Sequence, residues 1–323
     1  MATTRADAIV ALPCSVSFAM TDAGCGCWLA RAVARHPSAD GSLLHSVLTE
    51  LALAVPDAGL AALRYWGQTG RCPSGWLAGA DPVWLQAGLD KLYLHAPAAH
   101  DLGGQMLRDL FADLQEAMFD DDQSRLEAIG SMGYLHSAQQ FATSPLPADA
   151  ISGGRPDPYL PSGASAKRYL QLSGELQLAL HDHSSNLQRE QDGQPPLNSL
   201  WLWGGGTVDG CVRRNLPALY ASEPLLRGYW SYSEAAVSDW PGSVSQCASA
   251  GAGRFVAVVP PPAAGDSLES VAAALRELRD LQAAGRLPAI AILFADGIVL
   301  HIRHSDRYRF WRRSPALPAT GAS

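Results

Sequence analysis

The sequence predicts a mixed α/β protein with a largely parallel sheet flanked by helices and an antiparallel hairpin at its C-terminal edge. Runs that are apolar on both faces occur at 200–203, 255–259 and 289–294, as expected of strands covered on both sides. A helical segment separates the last two runs, which gives a strand–helix–strand unit with a right-handed crossover. Asp296-Gly297 then marks a hairpin turn.

The first elements are an opening strand and an amphipathic helix. Residues 8–18 are rich in β-branched and apolar types, which predicts the strand. Ser42 is a suitable N-cap for the helix that follows, and we expect the helix to end before Pro56. The apolar face of this helix carries Leu44, Val47, Leu48 and Leu51.

A hairpin and a second helix complete the first half. Residues 80–85 and 91–95 predict the two strands of the hairpin, because a short glycine-containing turn separates them. The second helix is predicted from about Asp101 to Phe119. Apolar residues recur in it at helical spacing, at Met106, Leu110, Leu114 and Met118.

The segment 144–163 is rich in proline and glycine, which is typical of a domain boundary or a long surface excursion. We therefore expect an N-terminal α/β part over 1–145, a linker over 146–163 and a C-terminal α/β part over 164–323. The sequence leaves open whether the first part folds alone or completes the sheet of the second.

Two helices and a last strand are predicted in the second half. One helix runs from about Ala164 to Asn186, with Tyr169, Leu172, Leu176 and Leu180 on its apolar face. The other begins with a variant capping box at 266–269 and stops at Gly285. Near Tyr308–Arg312, arginines alternate with aromatic residues. That pattern fits an edge strand whose charges discourage aggregation, or a single-stranded nucleic-acid surface, and we favour the strand.

Composition excludes several classes of protein. The 323 residues are 47% hydrophobic and 17% charged, but no apolar run approaches the ~20 residues of a membrane span. A net charge of −7 argues against a dedicated nucleic-acid-binding protein. Six cysteines are too few for a disulfide framework. The N-terminus lacks the pattern of a secretory signal, so we expect a cytoplasmic protein.

The densest polar cluster consists of Glu175, Gln177, His181, His183, Asn186 and Arg189. His181 and His183 are two residues apart, so on a continuous helix they point about 200° apart and cannot share one metal ion. We expect one histidine to pack and the other to be solvated or to bond the helix end.

A glycine-rich turn follows the first of the buried runs. Glycines let backbone N–H groups approach an anion, and ligands gather at the ends of parallel strands. A small anion bound by Gly204, Gly205 and Gly206 is one interpretation, and a tight turn under two tryptophans is the other. The residues expected to hold such an anion are Asn198, these three glycines, Arg213 and Arg214.

Several of these motifs together resemble the RpfE-type regulatory proteins of proteobacteria. The matching segments are Ala80-Asp81-Pro82-Val83 with Leu85, Leu160-Pro161-Ser162-Gly163, Glu175-Leu176-Gln177, His181-Asp182-His183, Asn186, Arg189-Glu190, Gly193 and the run from Asn198 to Gly206. The sequence departs from that pattern at Ser184-Ser185, where Pro-Val is expected, and at Trp84, where a histidine is usual.

Residues 198–230 contain Asn198, the glycine-rich turn, Pro217 and Leu225-Leu226-Arg227-Gly228. These features are similar to a stretch of the archaeal-type, cofactor-independent phosphoglycerate mutases. That resemblance implies an alkaline-phosphatase-like fold and, in an active enzyme, two divalent metals held by Asp and His together with a phosphoryl-carrying serine. Here 12–16 replaces the Asp-Gly loop expected after the opening strand, and 258–266 offers no histidine.

The resemblance and the missing ligands together predict a non-catalytic regulatory or binding protein. We expect no catalytic residue, metal or cofactor, and a small anion or a protein as partner. One alternative is a metal-dependent phosphomutase or phosphatase, which requires convergence within about 5 Å of several of Glu175, His181, His183, Asp209 and Asp266. Another is an interaction module with an exposed apolar patch over Trp66, Trp76 and Trp84.

Overall fold

The computed structural model describes residues 6–22, 24–35, 42–98, 101–119, 123–250, 253–262 and 267–309. The strands in these ranges are β1 (Ala8–Leu12), β2 (Val33–Arg35), β3 (Trp76–Ala87), β4 (Leu92–His95), β5 (Ser124–Ile129), β6 (Met132–Ser137), β7 (Ser199–Gly206), β8 (Ala218–Tyr220), β9 (Val237–Ser238), β10 (Phe255–Val258), β11 (Ala289–Phe294) and β12 (Val299–Arg303).

The α-helices are α1 (Val16–Thr21), α2 (Gly26–Leu29), α3 (Leu43–Glu50), α4 (Leu60–Thr69), α5 (Gly104–Met118), α6 (Lys167–His181), α7 (Ser184–Gln191), α8 (Pro224–Tyr232), α9 (Val244–Ala250) and α10 (Glu269–Ala283). Short 3-10 helices span Ala148–Ile151, Asp157–Tyr159, Gly163–Ala166 and His304–Tyr308. No helix in the described ranges is long and apolar enough to cross a bilayer.

The chain divides into two compact units, and the division differs from the expected one. The first unit combines Met1–Val55 with Cys211–Ser323, and the second is Pro56–Gly210. The expected boundary at 146–163 therefore lies inside the second unit. The reason is long-range pairing, because β1 lies between β10 and β11 and completes the sheet of the C-terminal part.

The first unit contains a seven-stranded sheet in the order β2-β12-β11-β1-β10-β8-β9. Strand β1 is parallel to both β10 and β11, β8 is parallel to β10, and β9 is parallel to β8. Strands β11 and β12 are antiparallel, as the hairpin turn predicts. The predicted fold class is confirmed. The hairpin does not form the edge of the sheet, however, because β2 pairs with the outer side of β12.

The opening strand is shorter than the predicted 8–18. It ends at Leu12, because Pro13 has no N–H to donate to the ladder. Ser15 then begins α1 by accepting a hydrogen bond from the N–H of Phe18 at 3.2 Å. In α3 the predicted cap is confirmed, since Ser42 Oγ accepts from the N–H of His45.

Helix α10 connects β10 to β11, so the predicted strand–helix–strand unit is present, with β1 inserted between its two strands. Its expected cap at Asp266 lies outside the described residues. Gly285 adopts a left-handed φ of 71° just after the helix, which matches the predicted stop. The helix buries an apolar face against this sheet, with Val271, Leu275 and Leu278 fully buried.

The second unit contains an antiparallel five-stranded sheet, in which β7 pairs with β3. The inference that the run at 200–203 belongs to a parallel sheet is therefore wrong, although its burial is confirmed. The antiparallel strand is apolar on both faces because α4 and α6 both pack against it. The predicted hairpin of β3 and β4 is confirmed, with Leu85 opposite Leu94.

Two predicted elements of the C-terminal half are modified. The helix expected to reach Asn186 breaks at Asp182 into α6 and α7, although its predicted apolar face is confirmed as the buried face of α6. The strand expected from Tyr308 is not formed in its described part, since His304–Tyr308 is a 3-10 helix and 310–312 lies outside the described residues.

Candidate functional site

The carboxyl ends of the parallel strands in the first unit surround a cavity of about 460 Å³. Ligands of open α/β sheets bind at this edge, so this is the principal candidate site. Leu12 and Pro13 line the cavity at the end of β1, Val259 at the end of β10 and Phe294 at the end of β11. The lining is mainly apolar, and Glu223, which follows β8, is the acidic residue in it.

The two carboxylates closest to these strand ends in sequence are already used as acceptors of backbone hydrogen bonds. Glu223 caps α8 by accepting from the N–H groups of Leu225 (3.0 Å) and Leu226 (2.6 Å). Asp296 Oδ2 accepts from the N–H of Val16 at 2.9 Å, at the start of α1. A carboxylate that satisfies the unpaired N–H groups of a helix loses that partnership if it turns to a metal.

Cys14, in the loop after β1, does not supply a thiolate at neutral pH. Burial, together with the nearby charge of Asp296, raises the pKa of its thiol to about 11. The thiolate is the form that attacks electrophiles, so Cys14 is not a nucleophile at neutral pH. Its neighbour Ser15 uses its hydroxyl to cap α1.

The donor set at this edge does not fit the two-metal site of a phosphoglycerate mutase. No group of three or more His, Cys, Asp or Glu side chains within the described ranges is arranged to hold a metal ion. Three of the loop residues, Pro13, Pro260 and Pro261, also have no N–H with which to bind phosphoryl oxygens. Residues 258–262 include no Asp, Glu, His or Cys that could bind a metal. Residues 263–266 lie outside the described part of the chain.

The glycine-rich segment is not placed to cradle an anion. The N–H of Gly204 donates to the carbonyl of Ser144 at 2.7 Å, and the N–H of Gly205 donates to Thr143 Oγ1 at 2.8 Å. Gly206 pairs with Leu77 in the sheet. The two donors that an anion would need are therefore already paired within the second unit.

Close packing explains why these positions are glycine. A Cβ on Gly204 would lie 2.9 Å from the backbone nitrogen of Ala61, and one on Gly206 would lie 2.4 Å from that of Gly59. Gly204 also adopts a left-handed φ of 59°, which disfavours other residues. The segment thus lets the start of α4 approach β7 closely.

The other residues expected at the anion site have different partners. Asn198 bonds both backbone groups of Leu85, extending the contact between β7 and β3. Arg213 and Arg214 belong to the first unit, where Arg213 pairs with Glu234 and Arg214 donates to the hydroxyl of Tyr229.

In the polar cluster of α6 and α7, His183 and Asn186 have structural roles. His183 Nδ1 accepts from the N–H of Ser185, and its Nε2 lies 3.2 Å from Asp113, whereas His181 is solvated, as expected for such a pair. Asn186 bonds the carbonyls of Leu180 and Leu197, so it holds the two helices to β7. Two of the remaining members, Glu175 and Gln177, are exposed and bond side chains on their own helix.

Arg189, the last member of the cluster, is buried and also structural. Its guanidinium donates to the carbonyls of Pro195 (2.9 Å) and Asp101 (3.2 Å), tying α7 to two loops. The metal alternative requires that several of Glu175, His181, His183, Asp209 and Asp266 converge. No such metal-binding group forms in the described part of the chain, and Asp266 lies outside it.

A buried ion pair in the second unit was missed by sequence reasoning. Arg64 Nη1 donates to Asp81 Oδ2 at 2.8 Å, and Trp203 Nε1 donates to the same oxygen at 2.6 Å. Arg64 also donates to the carbonyl of Gly133 and lies over the rings of Tyr134 and Trp203. Burial disfavours the charged form of Arg64, but the attraction of the Asp81 carboxylate outweighs this effect. The pKa of Arg64 is therefore raised.

The apolar patch expected over three tryptophans is not formed. Trp76 is buried against Phe141, with ring centroids 4.7 Å apart, and Trp84 packs on His95 at 5.0 Å. Trp66 is half-buried in α4. These three tryptophans therefore do not support the alternative that the protein is an interaction module.

Comparisons with known proteins give partial matches. No family model matches the chain. It is similar to the 2,3-bisphosphoglycerate-independent phosphoglycerate mutase of Methanosarcina acetivorans, at 32% identity over 107 residues, which is 31% of this chain and 27% of that protein. It is also similar to a probable enzyme of the same name from Geobacter sulfurreducens, at 31% identity over 103 residues, 31% of this chain and 25% of that protein.

Two solved structures align over most of the chain. A cofactor-independent phosphoglycerate mutase from Thermoplasma acidophilum gives a TM-score of 0.40 at 16% identity, covering 98% of this chain and 92% of that one. A Pyrococcus horikoshii protein gives 0.46 at 11% identity, covering 93% and 88%. The sequence matches span about a quarter of the length of the curated relatives. The chain is thus distantly similar to cofactor-independent phosphoglycerate mutases.

Proposed function

We propose that this chain is a non-catalytic binding protein of the RpfE type, built on an alkaline-phosphatase-like scaffold of the phosphoglycerate mutase kind. One observation carries the proposal. The parallel strands end at a mainly apolar cavity, and the carboxylates beside it, Glu223 and Asp296, cap helices. A phosphorylated sugar acid and two cations need charged ligands at that edge, and the described residues offer an apolar wall there instead.

The ligand of this proposed function is a mainly apolar small molecule at the strand ends. A volume of about 460 Å³ lies within the range of small-molecule sites, which are lined largely by apolar groups with a few polar ones. Ser46 and Ser222 are the hydroxyl-bearing residues of the lining. This location replaces the glycine-rich segment as the candidate site.

The alternative function is a metal-dependent phosphomutase or phosphatase, and the similarity to named mutases favours it. The deciding experiment measures interconversion of 3-phosphoglycerate and 2-phosphoglycerate with Mn²⁺ or Zn²⁺ added to the full chain. We expect no turnover above the protein-free rate. Robust metal-dependent turnover would establish the alternative and overturn the proposal.

A binding assay tests the site itself. The fluorescence of 1-anilinonaphthalene-8-sulfonate reports entry into an apolar cavity, and Ser46→Phe adds a bulky side chain to its lining. Ser17→Phe places the same side chain on the exposed surface of α1 as a control. We expect Ser46→Phe to abolish most of the dye signal and Ser17→Phe to retain it. Equal signals in both variants would place the dye elsewhere.

A further inference from the structure

A second cavity of the first unit, of about 420 Å³, is lined by cationic side chains. Its principal lining residues are Cys27, Trp28, Arg31, Arg279, His304 and Arg307. The 3-10 helix that carries His304 directly follows β12, whose last residue pairs with Ala289, the first residue of β11. This cavity is therefore at the amino-terminal edge of the parallel strands, opposite the apolar cavity described above.

Two of the three guanidinium groups have no carboxylate partner among the described residues. Arg31 Nη1 is 3.4 Å from the carbonyl oxygen of Arg307. Arg307 contacts His304 Nε2 at 2.7 Å and the hydroxyl of Tyr308 at 2.8 Å. The third guanidinium, Arg279, pairs with Asp280 and donates to the carbonyl of Gly24. Arg31 and Arg307 therefore bring positive charge to the cavity without a carboxylate partner in the part of the chain that the structure describes.

The histidine sets the orientation of Arg307. His304 Nδ1 lies 3.1 Å from the carbonyl oxygen of Gln282, and a carbonyl only accepts, so Nδ1 donates. A guanidinium only donates, so His304 Nε2 accepts from Arg307. The ring is therefore the neutral Nδ1–H tautomer, and it positions Arg307 without adding a charge of its own.

The floor of the cavity is rigid. Trp28 Nε1 donates to Gln282 Oε1 at 2.6 Å, and Gln282 Nε2 donates to the carbonyl of Ile302 at 3.1 Å. Both side chains are buried, at 8% and 6% exposure. Because α2, α10 and β12 are connected through this pair, the arginines surround a fixed concave surface rather than an open face of the protein.

We propose that this cavity is a binding site for a small phosphorylated molecule, whose phosphate lies between Arg31 and Arg307. Guanidinium groups bind phosphate oxygens with paired, charge-assisted hydrogen bonds. A bound anion also relieves the repulsion between neighbouring cations that have no carboxylate partner within the described ranges. The volume accommodates a small molecule, and the net charge of −7 on the whole chain disfavours a long polyanion such as duplex DNA.

Cys27 provides a direct readout, because its exposed thiol lines the cavity. The rate of its alkylation by iodoacetamide is measured by peptide mass spectrometry with and without inorganic pyrophosphate, at constant ionic strength. Cys211 is also exposed and lies outside the cavity lining, so it is the internal control. We expect pyrophosphate to slow alkylation of Cys27 about fivefold or more and to leave Cys211 unchanged, since a bound anion covers the site.

Variants test whether the arginines bind the phosphate. Arg31→Ala and Arg307→Ala should each weaken pyrophosphate binding in calorimetry by about tenfold or more, since each removes charge-assisted hydrogen bonds. Arg286→Ala is the matched control, because Arg286 is exposed just after α10 and bonds Ser249 rather than the cavity. Unprotected Cys27 in the wild type, equal protection by citrate, or unchanged binding in both arginine variants would each overturn the proposal.

Discussion

Arg64 shows most clearly how one residue stabilises the second unit. It is 6% exposed, and its guanidinium links α4 to Asp81 on β3 and to Gly133 on β6. A buried charge that loses its partner costs far more than an exposed one, because neither water nor another group replaces the lost interaction. The ion pair is therefore a determinant of stability.

Removing one member of this pair should destabilise the protein strongly. We expect Asp81→Ala to lower the free energy of unfolding by about 3–5 kcal/mol, since Arg64 stays buried and unpaired. Urea unfolding measures the change. Arg213→Ala, which removes an exposed arginine from its pair with Glu234, is the control and should change stability little. A loss below about 1 kcal/mol for Asp81→Ala would contradict this account.

The glycines of β7 give a second prediction about single residues. Gly206→Ala should destabilise the protein by about 1–3 kcal/mol, because its Cβ would lie 2.4 Å from the backbone nitrogen of Gly59. Gly174→Ala is the matched control. Gly174 lies within α6 with no atom near its Cβ position, so alanine there should stabilise by about 0.5–1 kcal/mol. Similar thermal shifts for both variants would refute the packing role.

Some of these residues could be predicted from sequence and others could not. Ser42 and Gly285 act through bonds or backbone conformation within their own helix ends, so their roles follow from local pattern. Arg64 could not be predicted, because an arginine in a helix is ordinarily solvated and its partner is 17 residues away on another element. A signal was present in the apolar run Leu60–Leu63 directly before it.

At the scale of elements, the two acids near the strand ends act as helix caps. Glu223 accepts from two N–H groups of α8, and Asp296 accepts from the first residue of α1. Each carboxylate thereby connects a loop at the carboxyl edge of the sheet to the helix beside it. This use of the carboxylates is the basis of the proposal that the site is not a metal centre.

Capping and metal binding make different predictions for Glu223. We expect Glu223→Ala to lower thermal stability by about 0.5–2 kcal/mol, because it leaves two N–H groups of α8 unpaired, and to do so equally with and without Mn²⁺. Differential scanning calorimetry measures both conditions. A loss of stability that appears only when Mn²⁺ is present would assign Glu223 to a metal site.

The elements also show why strand direction escaped prediction. Asp296-Gly297 joins two strands that are adjacent in sequence, so the hairpin of β11 and β12 follows from its turn. Strand β7 pairs with β3, more than a hundred residues earlier, and its apolar faces are covered by α4 and α6. Burial on both faces identified a covered strand but carried no information about its partner, because antiparallel strands between two helical layers are equally apolar.

The molecule as a whole consists of two units, and the first is assembled from both ends of the chain. The expected boundary in the proline-rich segment was reasonable locally, but β1 pairs with β10 and β11 across more than 200 residues. No local pattern encodes that pairing. The fold class was predictable because it depends on short apolar runs and a strand–helix–strand unit, which are local.

The first unit should lose stability in alkaline solution. Burial raises the pKa of Cys14 and Cys25 to about 11 and that of Cys247 to about 12, against an ordinary value of 9.0. The folded state therefore keeps protons that the unfolded state releases above pH 9. The stabilisation is complete below that pH and is lost as pH rises towards 11–12, by up to about 1.4 kcal/mol per pH unit for each thiol.

Urea unfolding between pH 8 and 11 measures this dependence. Cys247→Ala should reduce the slope of the unfolding free energy against pH above pH 9, whereas alanine at the exposed Cys211 should leave it unchanged. Equal slopes of the unfolding free energy against pH in the Cys247 and Cys211 variants would show that the buried thiol is not responsible.

The central claim is that the carboxyl edge of the parallel sheet has lost the side chains that anchor two cations. Isothermal titration with Mn²⁺ tests it directly, because Mn²⁺ prefers the carboxylate and imidazole ligands of a mutase site over exposed thiols. The account predicts no saturable binding at micromolar Mn²⁺. Two equivalents bound with micromolar affinity, and released by Glu223→Ala, would contradict it.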